Sequence, residues 1–398
     1  MYTFKHIFFS AFAILLLNSC QKLLIKPDPT SESEKNFEIF WNDLNNGYPY
    51  FVEDGINWKD RHDQYRKQVT KATTTNELFD VMKRMLSGFS DGHLSVSYGD
   101  EYYTNEKEQP NLRELIRENS FGTLIAYSDD NRDLVNAYLG YNKQSPQYFF
   151  ENINKKYLVN PQTVTANNGF VNSSETTVAI HGKIDPQYSP TKNIQYFNIS
   201  TFNTDYTIDN LLQSVINANS NSDALILDLR MNGGGSLGLM WDVMSVFLPR
   251  NVSELNYAYY SEKVGPLPSN FGPENYFAIF GKENTKYTKP VVVLVNRLSA
   301  SASEHATMAM REIKRYNPKI KIVGDYTYGA TSFIVERTLP NGIQYTLVNS
   351  KTFDLNRKVV ERTGVKPDEQ VFLTIPFVQA IRDQQMERAI EIIQNNQF

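Results

Sequence analysis

The stretch that decides the fold is Pro290-Val-Val-Val-Leu-Val-Asn296, followed by Arg297-Leu-Ser-Ala-Ser-Ala-Ser-Glu304. A β-branched apolar run of this length, ending in a polar residue, is typical of a strand buried on both faces. The small residues lead into a segment of helical periodicity, residues 304–315. A strand, a tight turn and a helix place a serine hydroxyl at a helix N-terminus, where unpaired N–H groups can bind an oxyanion. The stretch therefore predicts a serine nucleophile.

The sequence around this stretch predicts an α/β core. From Ile194 onward, apolar strands alternate with helices of ten or more residues, which is the pattern of parallel βαβ units. Asn341-Gly342 then separates two alternating runs and predicts a hairpin. We expect five segments: a signal peptide (1–20), a flexible tether (21–33), an N-terminal helical subdomain (34–98), a divergent middle or cap region of mixed structure (99–190) and a catalytic α/β core (191–398).

Composition limits the classes of partner. The chain has 398 residues and a formal net charge of −4 without a basic block, so nucleic acid is not an expected partner. Lys5 precedes an apolar run from Ile7 to Leu17. This run is too short to span a membrane comfortably and fits the apolar region of a signal peptide.

Cys20 is the only cysteine, which excludes an intramolecular disulfide and a cysteine-based metal site. Its position directly after Leu17-Asn18-Ser19 resembles a bacterial lipobox, in which the cysteine is acylated and becomes the mature N-terminus. The alternative is an ordinary signal peptide with an incidental cysteine. The lipobox resemblance implies a lipid-anchored protein of the bacterial cell envelope, facing the periplasm or the surface, because two or three acyl chains anchor stably.

Six short motifs occur along the chain in a fixed order: Asp91–His93, Asn193–Phe202, Leu227–Gly235, Ser299–Glu304, Gly324–Gly329 and Glu361–Asp368. Each is weak alone, but together and in this order they are specific. They resemble the serine peptidases that include the tail-specific (C-terminal processing) proteases and the tricorn protease core. The resemblance covers most of residues 36–393 and implies a ClpP/crotonase-like βα core.

The resemblance also assigns the residues that would handle the acyl group. It makes the middle serine, Ser301, the nucleophile, with the N–H of Ala302 facing the tetrahedral oxygen. The glycine-rich loop after residue 229 supplies the second oxyanion donor in relatives. Here that donor is Gly233 or Gly234, and the sequence leaves the choice open.

The base distinguishes two branches of the family. Tail-specific proteases place a lysine where this chain has Ala330, so a Ser–Lys dyad of that form is absent. The tricorn-like branch uses an upstream histidine and a downstream glutamate, which His93 and Glu361 match. A histidine base predicts activity that rises through a pKa near 6–7.

Two questions about the base stay open at this stage. In the tricorn core a serine precedes the histidine and joins it to the glutamate, whereas Gly92 occupies that position here. Ser90 or Asp91 can substitute for it, or Glu361 can act through another group. His305, one helical turn after Ser301, is a rival base.

The sequence predicts a serine endopeptidase acting on peptides or proteins, with no cofactor. We expect no metal site, because there is no His-x-x-x-His pair and Asp91 and Asp228 stand isolated. No glycine-rich carboxylate-binding loop of a PDZ domain is found in residues 100–190. The alternatives are a catalytically silent binder of hydrophobic ligands or peptides on the same fold, and an esterase with the same residues. The oligomeric state stays open.

Overall fold

The computed structural model describes residues 32–89, 91–104, 116–117, 155–167, 175–283, 286–374 and 382–398. The helices there are α1 (Glu32–Gly47), α2 (Trp58–Tyr65), α3 (Thr75–Leu86), α4 (Ile208–Ala218), α5 (Leu237–Ser245), α6 (Ala302–Ile313) and α7 (Gln384–Asn395). The strands are β1 (Ser95–Tyr98), β2 (Glu101–Thr104), β3 (Ile116–Arg117), β4 (Leu158–Asn167), β5 (Glu175–Ile184), β6 (Ile194–Ile199), β7 (Ala224–Asp228), β8 (Glu254–Lys263), β9 (Phe271–Phe280), β10 (Val291–Val295), β11 (Ile320–Gly324), β12 (Ile334–Thr338), β13 (Gln344–Val348), β14 (Ser350–Asp354), β15 (Glu369–Gln370) and β16 (Leu373–Thr374). The predicted α/β fold is confirmed.

The central sheet has seven strands in the order β15-β11-β10-β7-β6-β5-β4. Strands β6, β7, β10, β11 and β15 run parallel, whereas β4 and β5 form an antiparallel edge. All five residues of β10 are buried. Val291, Val293 and Val295 join the apolar cluster on one face of the sheet, and Val292 and Leu294 join the cluster on the other. The predicted doubly buried strand is confirmed.

Helix α6 is the central helix of the molecule. Every residue in it except Arg311 is buried, because it packs against β8, α5 and β11. It begins at Ala302, directly after the serine-rich turn. Burial on nearly all sides fixes the direction of its N-terminus, and with it the position of the turn.

A second sheet joins two segments that are distant in sequence, residues 95–104 and residues 334–348. Its strand order is β12-β13-β1-β2, and Ser95 of β1 lies opposite Thr346 of β13. Strands β12 and β13 are the predicted hairpin, which is confirmed. Helices α1 and α3 pack on this sheet in a third apolar cluster that includes Phe40, Met82 and Tyr345. The pairing of β1 with β13 brings the segment around residue 93 next to the loops that follow α6.

The middle of the chain differs from the sequence expectation where it is described. The sequence pattern of residues 111–118 predicts a helix, but Ile116–Arg117 is a strand paired with β16, and the remainder of that segment lies outside the described residues. Much of the cap region expected over 99–190, the signal peptide and Cys20 also lie outside them. Among the described helices, none is long and apolar enough to cross a membrane.

Candidate active site

The serine turn has a strained backbone. Ser301 precedes α6 with φ 53° and ψ −121°, a region that costs a non-glycine residue about 1–3 kcal/mol. The hydroxyls of Ser299 and Ser303 are buried and donate to the Leu229 carbonyl. Ser301 is partly exposed. Exposure and strain therefore agree with the prediction that the middle serine is the nucleophile.

The glycine-rich loop packs directly against this turn. A Cβ on Gly234 would lie 2.6 Å from the Ser301 Cβ and 3.0 Å from the Ala302 nitrogen, and its φ of +103° also requires glycine. The Gly234 N–H donates to Asn232 Oδ1 at 2.9 Å. The Gly233 N–H donates no hydrogen bond within the described part of the chain. Of the two glycines left open by the sequence, the geometry favours Gly233 as the second oxyanion donor beside Ala302.

The structure brings His93 and Glu361 together. One ligand atom each of Asp91, His93 and Glu361 lies within 4.8 Å of the others. Asp91 Oδ1 accepts from the His93 backbone N–H at 2.8 Å. Glu361 Oε2 accepts from the backbone N–H and the hydroxyl of both Thr331 and Ser332. Asp91, one of the two substitutes considered for the missing serine, thus belongs to the cluster, while Ser90 lies outside the described residues.

Burial controls the charges of this cluster. It lowers the pKa of His93 to about 4, because the imidazolium loses its hydration. Burial raises the pKa of Asp91 to about 6. Burial, followed by repulsion from Asp91, raises the pKa of Glu361 to about 8. The imidazole is therefore neutral, and able to accept a proton, at lower pH than the sequence expectation of 6–7.

His305 does not have a free nitrogen for a role as base. Its Nε2–H donates to the Thr331 carbonyl at 2.9 Å, and its Nδ1 pairs with the Tyr257 hydroxyl at 3.2 Å. The Tyr257 hydroxyl in turn accepts from the Trp241 indole N–H. The side chain is a buried and fully bonded core residue, so the rival assignment is wrong.

Glu304 is a further residue of the site, to which the sequence alone assigns no role. This fully buried carboxylate accepts from the Ser301 N–H, the Thr327 hydroxyl and the N–H groups of Gly329 and Ala330. Burial raises its pKa to about 7 against these four donors. The spacing Ser301-x-x-Glu304 is that of a capping box and predicts the first of these bonds. Glu304 fixes the turn and the loop of residues 327–332 relative to each other.

The cluster also has the donor types of a metal site. Asp91, His93 and Glu361 offer one nitrogen and two oxygens, which zinc accepts. The expectation of no metal used the isolation of Asp91 as one argument, and that argument is wrong. A neutral imidazole beside a carboxylate is also the arrangement that activates a serine nucleophile. The strained Ser301 turn favours this catalytic role over metal binding.

Two family models match the chain. The model of peptidase family S41 matches residues 193–371, and that of the tricorn protease C1 domain matches residues 29–87. A probable CtpA-like serine protease of Staphylococcus haemolyticus is 28% identical over 188 residues, covering 46% of this chain and 34% of the relative. A carboxyl-terminal-processing protease of Synechocystis is 26% identical over 212 residues, covering 51% and 44%. The chain thus spans less than half of the length of these curated relatives.

Solved structures share the fold over most of the chain. A putative peptidase from Parabacteroides merdae superposes with a TM-score of 0.64 at 23% identity, covering 92% of this chain and 97% of that one. Mature CPAF gives 0.58 at 13% identity, with 92% and 98% covered. The photosystem II D1 C-terminal processing protease gives 0.51 at 16% identity, with the same coverage. At these identities the likeness concerns the fold.

Proposed function

We propose that this chain is a serine endopeptidase of peptidase family S41, whose model matches residues 193–371, and that it hydrolyses internal peptide bonds of peptides or proteins. Ser301 is the nucleophile, His93 the general base and Glu361 the acid that orients the imidazole. Asp91 is the second carboxylate of the cluster. The N–H groups of Ala302 and Gly233 bind the oxyanion.

The reaction has two halves. His93 accepts the proton of Ser301 Oγ as this oxygen attacks the scissile carbonyl, and the two N–H groups stabilise the tetrahedral oxyanion. The imidazolium then protonates the leaving amine, which gives an acyl-enzyme. In the second half His93 removes a proton from the water that attacks the acyl ester, and the imidazolium returns a proton to Ser301 Oγ as the acyl group leaves as a carboxylic acid. The negative charge of the carboxylate pair stabilises the imidazolium in both halves.

The observation that carries this proposal is that one loop, residues 327–332, contacts both the serine turn and the histidine–carboxylate cluster. Residues 327–330 of the loop bond to Glu304 beside the strained Ser301 turn, and residues 331–332 bond to Glu361 beside His93. A protein that only binds ligands has no need for one loop that holds a strained serine turn on one side and a histidine–carboxylate cluster on the other.

The test compares four proteins on a casein and peptide library. We expect Ser301→Ala and His93→Ala each to lower kcat/KM at least about 1,000-fold, because each removes a participant in every step. Their unfolding curves should match that of the wild type. Ser303→Ala is the matched control, since it removes a neighbouring hydroxyl that bonds weakly to Leu229, and it should keep wild-type rates.

A fluorophosphonate probe separates the alternatives. The endopeptidase proposal expects the probe to label Ser301 in a protein that also cleaves peptides. Labelling without any peptide cleavage would assign the same residues to an esterase. Absence of labelling in the folded wild type would indicate a binding protein, and full activity of His93→Ala would remove the base assignment.

We also propose that the mature protein is anchored to a membrane of the bacterial envelope through lipid on Cys20. The support is the sequence alone: one cysteine, placed directly after a short apolar segment and Asn18-Ser19. Labelled palmitate should enter the wild type and the Ser301→Ala control but not Cys20→Ser. Labelling of Cys20→Ser would overturn the anchor.

A further inference from the structure

Gly92 precedes His93, and the space that a side chain at position 92 would need is occupied by Tyr328. A Cβ on Gly92 would lie 2.5 Å from the Tyr328 hydroxyl oxygen, a distance that real Cβ atoms do not show. The same Cβ would lie 3.5 Å from Tyr328 Cζ and 3.7 Å from Cε1, which are ordinary contacts. The φ of Gly92 is outside the left-handed region. The phenolic oxygen is therefore the atom that a side chain at position 92 would have to displace.

Tyr328 is held in place from both sides. Its backbone N–H donates to the Ser299 carbonyl at 2.9 Å, and its neighbours Thr327 and Gly329 donate to Glu304. The ring is partly buried. Its hydroxyl thus reaches the residue next to His93 from the loop that also holds the serine turn.

The Tyr328 hydroxyl approaches the cluster of Asp91, His93 and Glu361, which contains buried polar atoms that form no hydrogen bond with any described residue. Within the described residues, His93 Nδ1 and Asp91 Oδ2 are buried and have no hydrogen-bond partner. A phenol can accept one hydrogen bond and donate another. It can therefore accept from an imidazole N–H while it donates to a carboxylate.

We propose, on the basis of the endopeptidase function above, that Tyr328 is a positioning residue whose hydroxyl links the His93 imidazole to the Asp91–Glu361 carboxylates. It takes the place of a serine hydroxyl at position 92. The absence of a side chain at Gly92 leaves room for the Tyr328 hydroxyl. The hydroxyl beside the imidazole then comes from the loop of residues 327–332 rather than from the residue before His93.

The geometry gives a reciprocal test. Tyr328→Phe removes only the oxygen, and kcat should fall about 10- to 100-fold with KM nearly unchanged, as part of the effect of general acid–base catalysis. Gly92→Ser alone should also lose activity, because its Cβ meets the Tyr328 oxygen. The double variant Gly92→Ser/Tyr328→Phe has room for the new side chain and should recover most of the lost kcat.

Two controls separate the hydroxyl from mere packing. Gly92→Ala/Tyr328→Phe fills the same space without a hydroxyl and should stay as slow as Tyr328→Phe. Tyr326→Phe removes a hydroxyl from the same loop, beside Arg297 and away from Gly92, and should keep the wild-type rate. Wild-type kcat in Tyr328→Phe, or equal recovery with alanine and with serine at position 92, would overturn the proposal.

A second measurement does not depend on peptide cleavage. In ¹⁵N-labelled Ser301→Ala protein, the His93 ring nitrogen shifts should change with Tyr328→Phe and return in the Gly92→Ser double variant. If the wild type cleaves no peptide but these shifts respond, the endopeptidase function fails and the link stands. If peptides are cleaved and neither the shifts nor kcat respond to Tyr328→Phe, only the link fails.

Discussion

At the scale of single residues, the backbone of Ser301 is the most consequential feature. Its φ of 53° and ψ of −121° are unfavourable for any residue with a Cβ. The strain holds the hydroxyl at the start of α6, beside the Ala302 and Gly233 amides. The fold therefore tolerates the conformational free-energy cost of this backbone, and the cost goes with a fixed position of the Ser301 hydroxyl.

This strain can be measured with one substitution. Ser301→Gly should stabilise the protein by about 1 kcal/mol relative to Ser301→Ala, because glycine adopts this conformation without a steric cost, although it loses more entropy on folding. Urea unfolding of the two inactive variants gives the difference. Equal stability, or a less stable glycine variant, would show that the turn is not strained.

The charges of the cluster predict the acid limb of the pH–rate profile. The burial of His93 lowers its pKa to about 4, so the imidazole stays neutral, and competent as a base, well below the ordinary histidine value of about 6.5. The Asp91–Glu361 pair must also keep a negative charge, and it loses that charge as the pH falls through the raised pKa of Asp91, about 6. As the pH falls, kcat/KM should therefore reach half of its maximum below pH 6.5. A profile from pH 4 to pH 9 tests this, and a midpoint at or above 6.5 would contradict it.

Which site residues the sequence reveals depends on how local their signals are. Ser301, Ala302 and the glycine loop lie within short patterns and were identified. For Asp91 the sequence allows a link to the base but predicts no ligand cluster, because its neighbour Glu361 is remote in sequence. The contact of Tyr328 with Gly92 has no local signal, since it arises from tertiary packing of two loops.

At the scale of elements, a buried ion-pair network ties the last helix to the sheet. Arg230, just after β7, donates to Asp228 and to Asp383, and all three side chains are buried. Asp383 is also the N-cap of α7 and accepts from the N–H groups of Gln385 and Met386. In the chain, Arg230 lies directly before the loop of residues 232–235.

Asp383→Ala should therefore destabilise the protein by about 3–5 kcal/mol, because it leaves part of a buried charge unpaired and removes a helix cap. Asp383→Asn is the matched control: it keeps the cap and loses only the charge, so it should fall between. Urea unfolding monitored by circular dichroism gives both values. A loss below about 1 kcal/mol in the alanine variant would show that Asp228 alone satisfies Arg230.

At the scale of the whole molecule, the sequence predicts those parts that form from neighbouring segments. The βαβ units of residues 194–324 and the Asn341-Gly342 hairpin follow from periodicity and turn chemistry, and they are confirmed. The antiparallel pairing of β1 with β13 joins Ser95 to Thr346, 251 residues later, and no local pattern encodes it. That pairing brings the segment around His93 to the loop of residues 327–332, which also bonds to Glu304 beside the Ser301 turn.

The six residues from Thr327 to Ser332 have a further consequence in genetic terms. Four of the groups that bond to Glu304 and Glu361 are backbone N–H groups of consecutive residues, Gly329 to Ser332. An exchange of side chains leaves these donors in place, whereas an inserted or deleted residue moves every later donor to the wrong carboxylate. These four backbone bonds therefore depend on the length of the stretch, whereas its side chains matter separately through the hydroxyls of Thr327, Thr331 and Ser332.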